Sequence, residues 1–95
     1  MTDIIKQKYK KRAVRYSKIW MYFVNTAIEV INDCREHQIK IYALEAFRVF
    51  GQGIQPDMEH SVDFVNNDGN WDEAIAFLST EENAAYLYEI WYKGY

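Results

Sequence analysis

Residues 3–37 have the sequence DIIKQKYKKRAVRYSKIWMYFVNTAIEVINDCREH, in which no glycine or proline occurs. Apolar and aromatic residues recur in this segment at alternating steps of four and three positions. With about 100° of rotation per helical residue, one narrow face collects them: Ile5, Tyr9, Ala13, Tyr16, Trp20, Phe23, Ala27, Ile31 and Cys34. Thr2 or Asp3 has a side chain suited to an N-cap. The segment therefore predicts one long N-terminal helix over residues 3–37.

The centre of this predicted helix carries six consecutive apolar residues, Ile19–Val24. On a helix they point in every direction, whereas a helix at the surface of a monomer needs a single apolar stripe. The helix would also span roughly 50 Å, which exceeds the diameter of about 30 Å expected for a domain of this size. Either the downstream helices wrap this segment, or a second copy of the chain covers it. In the second case we expect a homodimer through Tyr16, Trp20, Phe23 and Ala27.

Downstream of residue 37, the pattern predicts shorter helices with one clear break at Gly51–Pro56. These helices cover Lys40–Phe50, Asp57–Val65, Trp71–Leu78 and Thr80–Tyr92. Asn70 and Ser79, each followed three residues later by a glutamate, are suited to cap the last two. The prediction is an all-α single domain over residues 1–95, with the long helix packed against three or four short ones.

The alternative is an α+β fold with a hairpin around residues 58–78. Apolar and polar residues alternate from Met58 to Phe64, as they do in a half-buried strand. The sequence Asn66–Gly69 then suits a hairpin turn.

The composition is typical of a soluble globular protein, with 49% hydrophobic and 26% charged residues. No apolar run approaches the roughly 20 residues of a membrane helix, and we expect no membrane partner. The N-terminal residues do not have the pattern of a secretory signal. A single cysteine cannot form an internal disulfide, which fits a reducing compartment. We therefore expect a cytoplasmic protein.

The sequence offers little catalytic chemistry. It contains no phosphate-binding glycine loop, dinucleotide fingerprint or nucleophile elbow. Cys34 and His37 lie one helical turn apart, but they lack the orienting third group of a nucleophilic site. A zinc site would need His60 and Asp63 as further ligands, which the wide separation in sequence and the single cysteine disfavour. A calcium loop built on Gly69 would place Phe64 and Ile75 at its first and last ligand positions, and neither can coordinate. We expect no enzymatic activity, no cofactor and no metal.

Charge divides unevenly along the chain. Residues 1–48 hold ten Lys or Arg and five acids, a net +5, whereas residues 49–95 hold one Lys and nine acids, a net −8. One arc of the predicted long helix collects the cations that could follow a phosphate backbone: Lys8, Lys11, Arg12, Arg15 and Lys18. Nucleic-acid binding is therefore an alternative function, unless these cations pair with the acidic half of the same or another copy. A further alternative is that the acidic half imitates nucleic acid and inhibits a nucleic-acid-handling protein.

Aromatic residues make up 17% of the chain, and five of them lie within its last ten residues. Tyr and Trp combine a large contact area with a polar group and concentrate at protein interfaces. For a partner surface we expect Tyr88, Trp91, Tyr92 and Tyr95. The sequence thus predicts a non-enzymatic interaction protein, an adaptor or inhibitor that binds another protein and self-associates.

Overall fold

The computed structural model describes residues 3–64 and 70–95. The chain forms α1 (Ile4–Tyr9), β1 (Val14–Tyr16), β2 (Ile19–Phe23), α2 (Val24–Glu36), β3 (Ile41–Phe50), β4 (Gly53–Asp63), α3 (Trp71–Leu78), a 3₁₀ turn (Glu81–Asn83) and β5 (Leu87–Tyr92). The strands form one antiparallel sheet in the order β1-β2-β5-β3-β4. The fold is α+β, and the prediction of an all-α helical bundle is wrong.

The long helix over residues 3–37 is also wrong, because the segment divides into α1, the β1–β2 hairpin and α2. Ser17, in the two-residue turn between Tyr16 and Ile19, has a φ of 55°, outside the range of a right-handed helix. Aromatic and β-branched residues on either side of this turn favour strands. A strand also resolves the six-residue apolar run, because alternate residues point to opposite faces of the sheet.

Three of the shorter predicted helices are also wrong. Lys40–Phe50 coincides with β3, Asp57–Val65 overlaps the end of β4, and Thr80–Tyr92 contains the 3₁₀ turn and β5. The helix predicted over Trp71–Leu78 is confirmed as α3. At its N-terminus Asn70 occupies the N-cap position, but its side-chain amide donates to the Ile41 carbonyl oxygen at 2.8 Å and makes no capping bond.

The hairpin of the alternative α+β prediction is misplaced. The hairpin next to that region joins β3 to β4 through Gly51 and Gln52, and Gly51 adopts a φ of 58° that glycine tolerates without strain. Residues 71–78 of the predicted hairpin are helical. The predicted turn Asn66–Gly69 lies outside the described residues.

The main core lies between one face of the sheet and the helices. The helix α2 contributes four fully buried side chains, those of Ala27, Val30, Ile31 and Cys34. They pack with apolar residues from α1, α3 and the sheet: Ile5, Tyr9, Tyr22, Ile41, Leu44, Ala46, Ala74, Leu78, Tyr88, Ile90 and Tyr92. None of the helices in residues 3–64 and 70–95 is long and apolar enough to cross a membrane.

Asp3 joins the start of the chain to its last strand. One carboxylate oxygen accepts hydrogen bonds from the backbone amides of Ile5 and Lys6, both at 3.0 Å, and so caps α1 as predicted. The other oxygen accepts a hydrogen bond from the Tyr92 hydroxyl on β5 at 2.6 Å. The cap of α1 and the docking of α1 on the sheet therefore depend on the same carboxylate.

Replacing Asp3 by alanine removes the cap and leaves the buried Tyr92 hydroxyl without its acceptor. We expect Asp3→Ala to lower the free energy of unfolding by roughly 1–3 kcal/mol, measured by urea denaturation. The control is Asp72→Ala, whose side chain is 88% exposed and pairs with Arg35 at the surface, where an ion pair contributes little. Equal losses in the two variants would contradict the role of Asp3.

Candidate binding face of the sheet

The sheet has one face covered by helices and one that is not, and β5 shows the division. Tyr88, Ile90 and Tyr92 belong to the helix-covered core. Because successive side chains of a strand point to opposite faces, Leu87, Glu89 and Trp91 lie on the other side. We call this side the concave face, since it curves around a groove described below.

Strand register arranges the concave face in rows. The first row runs across four strands through the cross-strand partners Phe23, Leu87, Phe47 and Pro56, and we call it the apolar row. Two residues further along β3 and β5 comes the pair Glu45 and Glu89, which we call the acidic row. The third row contains the partners Trp91, Ala43 and Asp63. An apolar end and an acidic end therefore meet on one face.

The curvature of this face follows from which residues meet across it. A groove of about 660 Å³ is lined by Lys18 and Ile19 at one side and by Ile54 and Pro56 at the other. These residues belong to β2 or its turn and to β4, which β5 and β3 separate. The curvature also buries Met21, Phe47 and Leu87 as a second small core, against which Val14, Ile19 and Ile54 pack.

The acidic row lies in this groove. Glu89 is only 4% exposed although it carries a carboxyl group, and the Tyr95 hydroxyl donates to its Oε2 at 2.6 Å. The Trp91 indole N–H donates to Oε2 of Glu45 at 3.3 Å. Burial raises the pKa of Glu89 above its ordinary value of 4.5, and the neighbouring Glu45 adds to the rise while the Tyr95 hydrogen bond opposes it. Like charges directly opposite in a sheet are destabilising.

A bulge in β4 opens the sheet beside Glu45. Leu44 pairs with Val62 and Ala46 with Asp57, so residues 58–61 of β4 bulge out opposite Glu45. The Ser61 hydroxyl replaces a ladder bond, because it accepts from the Ala46 amide at 2.8 Å and donates to the Asp57 carbonyl at 2.7 Å. The bulge forms one wall of a second depression of about 450 Å³.

His60, in this bulge, is held by its neighbours on the sheet. Its Nδ1 lies 3.1 Å from Oδ1 of Asp57, and its ring stacks on Tyr86 with centroids 4.4 Å apart. Arg48 donates to the Tyr86 hydroxyl at 2.8 Å. The hydrogen bond from His60 is the main cause of a lowered pKa at Asp57. These contacts fix the shape of the bulge.

Exposed apolar side chains surround the apolar row. The exposed fractions are 61% for Phe23, 59% for Val49 and 70% for Phe50. Phe23 and Val49 line a depression of about 500 Å³ together with Phe47 and Leu87. Large exposed apolar patches on soluble proteins mark interaction surfaces.

The residues predicted for self-association separate in the structure. Tyr16 and Phe23 are both exposed, but Tyr16 pairs with Ile19 beside the β1–β2 turn and Phe23 lies at the other end of β2. Trp20 points to the opposite face of β2 from Phe23 and is half-buried. The Lys6 Nζ and Arg15 Cζ atoms lie 5.4 and 5.1 Å from the centroid of its ring. Ala27 is fully buried in the core and is not offered to a second copy.

The residues predicted for partner binding divide between the two faces. Tyr88 and Tyr92 are buried beneath the helices, and their hydroxyls donate to the His60 carbonyl and to Asp3. Trp91 is 43% exposed on the concave face and lines both the groove and the second depression. Tyr95 lines the groove and packs edge-on against Trp91, with ring centroids 5.1 Å apart.

The predicted nucleic-acid-binding cations lie on α1, β1 and the connections next to them. Lys8 pairs with Asp33 at 2.7 Å and Arg12 pairs with Glu29 at 2.6 Å, so two of the cations meet acids of α2. Arg15 lies over the Trp20 ring, Lys18 borders the groove, and Lys11 is exposed. Nucleic-acid binding stays a prediction.

The structure places Cys34 and His37 in different surroundings. Cys34 is fully buried, and burial is the main cause that raises the pKa of its thiol to about 12. His37, predicted as its neighbour, is exposed at the C-cap of α2, where its Nδ1 lies 2.8 Å from the Asp33 carbonyl oxygen. No group of three or more His, Cys, Asp or Glu that could hold a metal occurs in residues 3–64 and 70–95.

The sequence reasoning missed the acidic row and most of the apolar row. Glu45 and Glu89 lie 44 positions apart, and each is a single acid within an apolar strand sequence. The available signal was the enrichment of β3 in aromatic and β-branched residues, together with the alternation of Ile39 and Ile41 with Lys40 just before it. Pairing the two acids needs the register of β3 and β5.

No family model, no curated protein and no solved structure matches this chain.

Glu89→Gln keeps an acceptor for Tyr95 and removes the charge that faces Glu45. In the native chain, the raised pKa means that the folded state binds the proton more tightly, so stability falls as pH rises through that pKa. We therefore expect the variant to gain up to about 1 kcal/mol over the native chain at neutral pH, and less below pH 4. Chemical denaturation at both pH values measures this. A variant less stable at neutral pH would show that the carboxylate serves the fold.

The native thiol of Cys34 should resist modification. We expect its reaction with a disulfide reagent at pH 8 to be slower than that of the urea-unfolded chain by a factor comparable to the folding equilibrium constant, because the thiol must be exposed by opening of the core. The measurement is absorbance of the released thiolate with and without urea. Equal rates in both conditions would contradict the burial of Cys34.

Proposed function

We propose that this protein is a non-enzymatic interaction protein, an adaptor or inhibitor, that binds another protein through its concave face. The observation that carries this proposal is the apolar row with its exposed margin. Phe23 and Val49 remain about 60% exposed beside the buried Phe47 and Leu87. Exposed apolar side chains grouped on one face of a protein mark an interaction site.

The edges of the sheet offer less to a partner than its face does. At one edge, β1 has only three residues. At the other edge, β4 contains Pro56, which lacks a backbone donor, and the bulge of residues 58–61. Short strands, proline and bulges are features that hinder the addition of another strand. Contact through side chains of the face is therefore favoured over strand addition.

Self-association is the second candidate, favoured by the exposure of Tyr16 on β1 and of Phe23 on the neighbouring strand β2. Two copies packed along these two strands would cover both side chains. This interaction would use the same apolar margin as a different partner would, so both candidates depend on Phe23.

The experiment compares the native chain with a Phe23→Ser/Val49→Ser double variant. The matched control is Ile4→Ser, which removes an exposed apolar side chain on α1 (45% exposed). Each protein is immobilised and incubated with a lysate of the producing cell, and bound proteins are quantified by mass spectrometry. We expect at least one partner bound equally by native chain and control and lost by the double variant, because only that variant interrupts the apolar margin.

Capture that is unchanged in the double variant, or lost equally in the control, would contradict the proposed role of the concave face. Light scattering over a concentration series on the same three proteins tests the second candidate. A native chain that becomes dimeric while the double variant stays monomeric supports self-association, and a native monomer at high micromolar concentration contradicts it.

A further inference from the structure

We propose that the acidic row of the concave face receives an arginine side chain from the bound protein partner. The inference rests on the proposed function, since it specifies the chemistry of the partner on the same face. The groove supplies two carboxylates, an indole ring and an apolar wall, which together match the head and stem of that side chain.

The acidic row places two carboxyl groups next to each other on neighbouring strands. Glu45 and Glu89 are cross-strand partners, so their Cβ atoms are expected about 4.5–5.5 Å apart. Glu89 is 4% exposed, and both burial and Glu45 raise its pKa. Like charges that face each other across two strands destabilise a sheet. A cation bound next to both carboxylates would replace this repulsion by attraction.

Glu45 can be reached by a partner's side chain through the second depression, which it lines. Glu45 and Trp91 line both the 660 Å³ groove and the 450 Å³ depression, so they stand where the two join. Trp91 is 43% exposed, and its indole N–H lies 3.3 Å from Oε2 of Glu45. A side chain that enters over the Trp91 ring therefore arrives next to the Glu45 carboxylate. The bulge opposite Glu45 widens this entrance.

The groups around the acidic row favour a guanidinium group over an ammonium group. A guanidinium group is planar, stacks on an indole ring and donates several hydrogen bonds in a fixed fork, whereas an ammonium group is a compact point charge. Trp91 and the two carboxylates offer one stacking surface and two acceptors. A divalent metal is disfavoured, since the described part of the chain shows no group of three suitable ligands. Phe47, Ile54 and Pro56 line the groove and suit the methylene stem.

Two lysines of this chain, Lys6 and Lys18, line the groove. Lys6 lies over the Tyr95 ring at 4.6 Å and over the Trp20 ring at 5.4 Å, and its charge acts to lower the pKa of Glu89. Lys18 borders the groove beside Ile19, at the β2 side. Neither lysine lines the second depression, which Glu45 and Trp91 do line. An incoming cation is therefore attracted to Glu45 from that side.

The test uses the full chain labelled with nitrogen-15 and three peptides. Acetyl-Gly-Arg-Gly-amide is the probe, the citrulline peptide is its neutral counterpart, and the lysine peptide carries the charge without the fork. The reporter is the indole N–H resonance of Trp91, assigned with Trp91→Phe. We expect the arginine peptide to shift this resonance saturably at millimolar concentration, the lysine peptide to bind several-fold more weakly, and the citrulline peptide to cause no saturable shift.

The variants Glu45→Gln and Glu89→Gln keep acceptors for Trp91 and Tyr95 and remove one charge each. We expect each to weaken binding of the arginine peptide by about tenfold, or 1.4 kcal/mol. The control Glu36→Gln, which changes an exposed acid on α2, should bind like the native chain. No saturable shift with the arginine peptide would overturn the inference, as would equal binding of the lysine or citrulline peptide, or equal affinities in all three variants.

This test separates the inference from the proposed function. The Phe23→Ser/Val49→Ser variant retains the acidic row, so it should bind the arginine peptide with native affinity. Intact peptide binding with unaltered protein capture in that variant would contradict the proposed function alone. Loss of peptide binding in Glu45→Gln together with unchanged protein capture would show that the partner does not use this site.

Discussion

The position of β5 in the middle of the sheet is the constraint on which the rest of the structure depends. This last strand pairs with β2 on one side and with β3 on the other, so the β1–β2 and β3–β4 hairpins are joined only through it. Its alternation also sets both faces, because Tyr88, Ile90 and Tyr92 complete the core while Glu89 and Trp91 supply the groove. The core and the candidate site therefore both depend on the pairing of this strand.

The helices of residues 3–64 and 70–95 cover one face of the sheet and not the concave face. Curvature closes part of it, since Ile19 and Ile54 approach over Met21 and Phe47. Closure stops short of Phe23 at the apolar end and of Trp91 at the acidic end. The exposed groups on this face thus lie at its two ends, which is where the proposed contacts are made.

Local signals predicted some elements and long-range pairing decided the others. The helix over Trp71–Leu78 and the cap at Asp3 were predictable because each depends on neighbours in sequence. The prediction of a long helix over residues 3–37 was wrong because apolar residues at steps of three and four also occur by chance in aromatic strands. The turn at Ser17, which makes this segment a hairpin instead of a helix, has no clear signal in the sequence. Of the candidate site, Trp91 and Tyr95 could be predicted from aromatic content. The acidic row could not, since it exists only through the register of β3 with β5.

The structure shows which charges of the unevenly charged chain are paired with opposite charges. The basic N-terminal segment is partly neutralised within its own half, because Lys8 and Arg12 pair with Asp33 and Glu29 on α2. Although burial alone would raise the pKa of Asp33, hydrogen bonds from Lys8 and Tyr9 bring it below its ordinary value, as expected for a satisfied ion pair. The pKa of Glu89 shifts in the opposite direction, mainly because the carboxyl group is buried, and its cross-strand neighbour Glu45 adds to the rise. On the concave face the two acids share the groove with Lys6 and Lys18, whereas the second depression is lined by Glu45 and by neither lysine, which is why the proposed cation enters from that side.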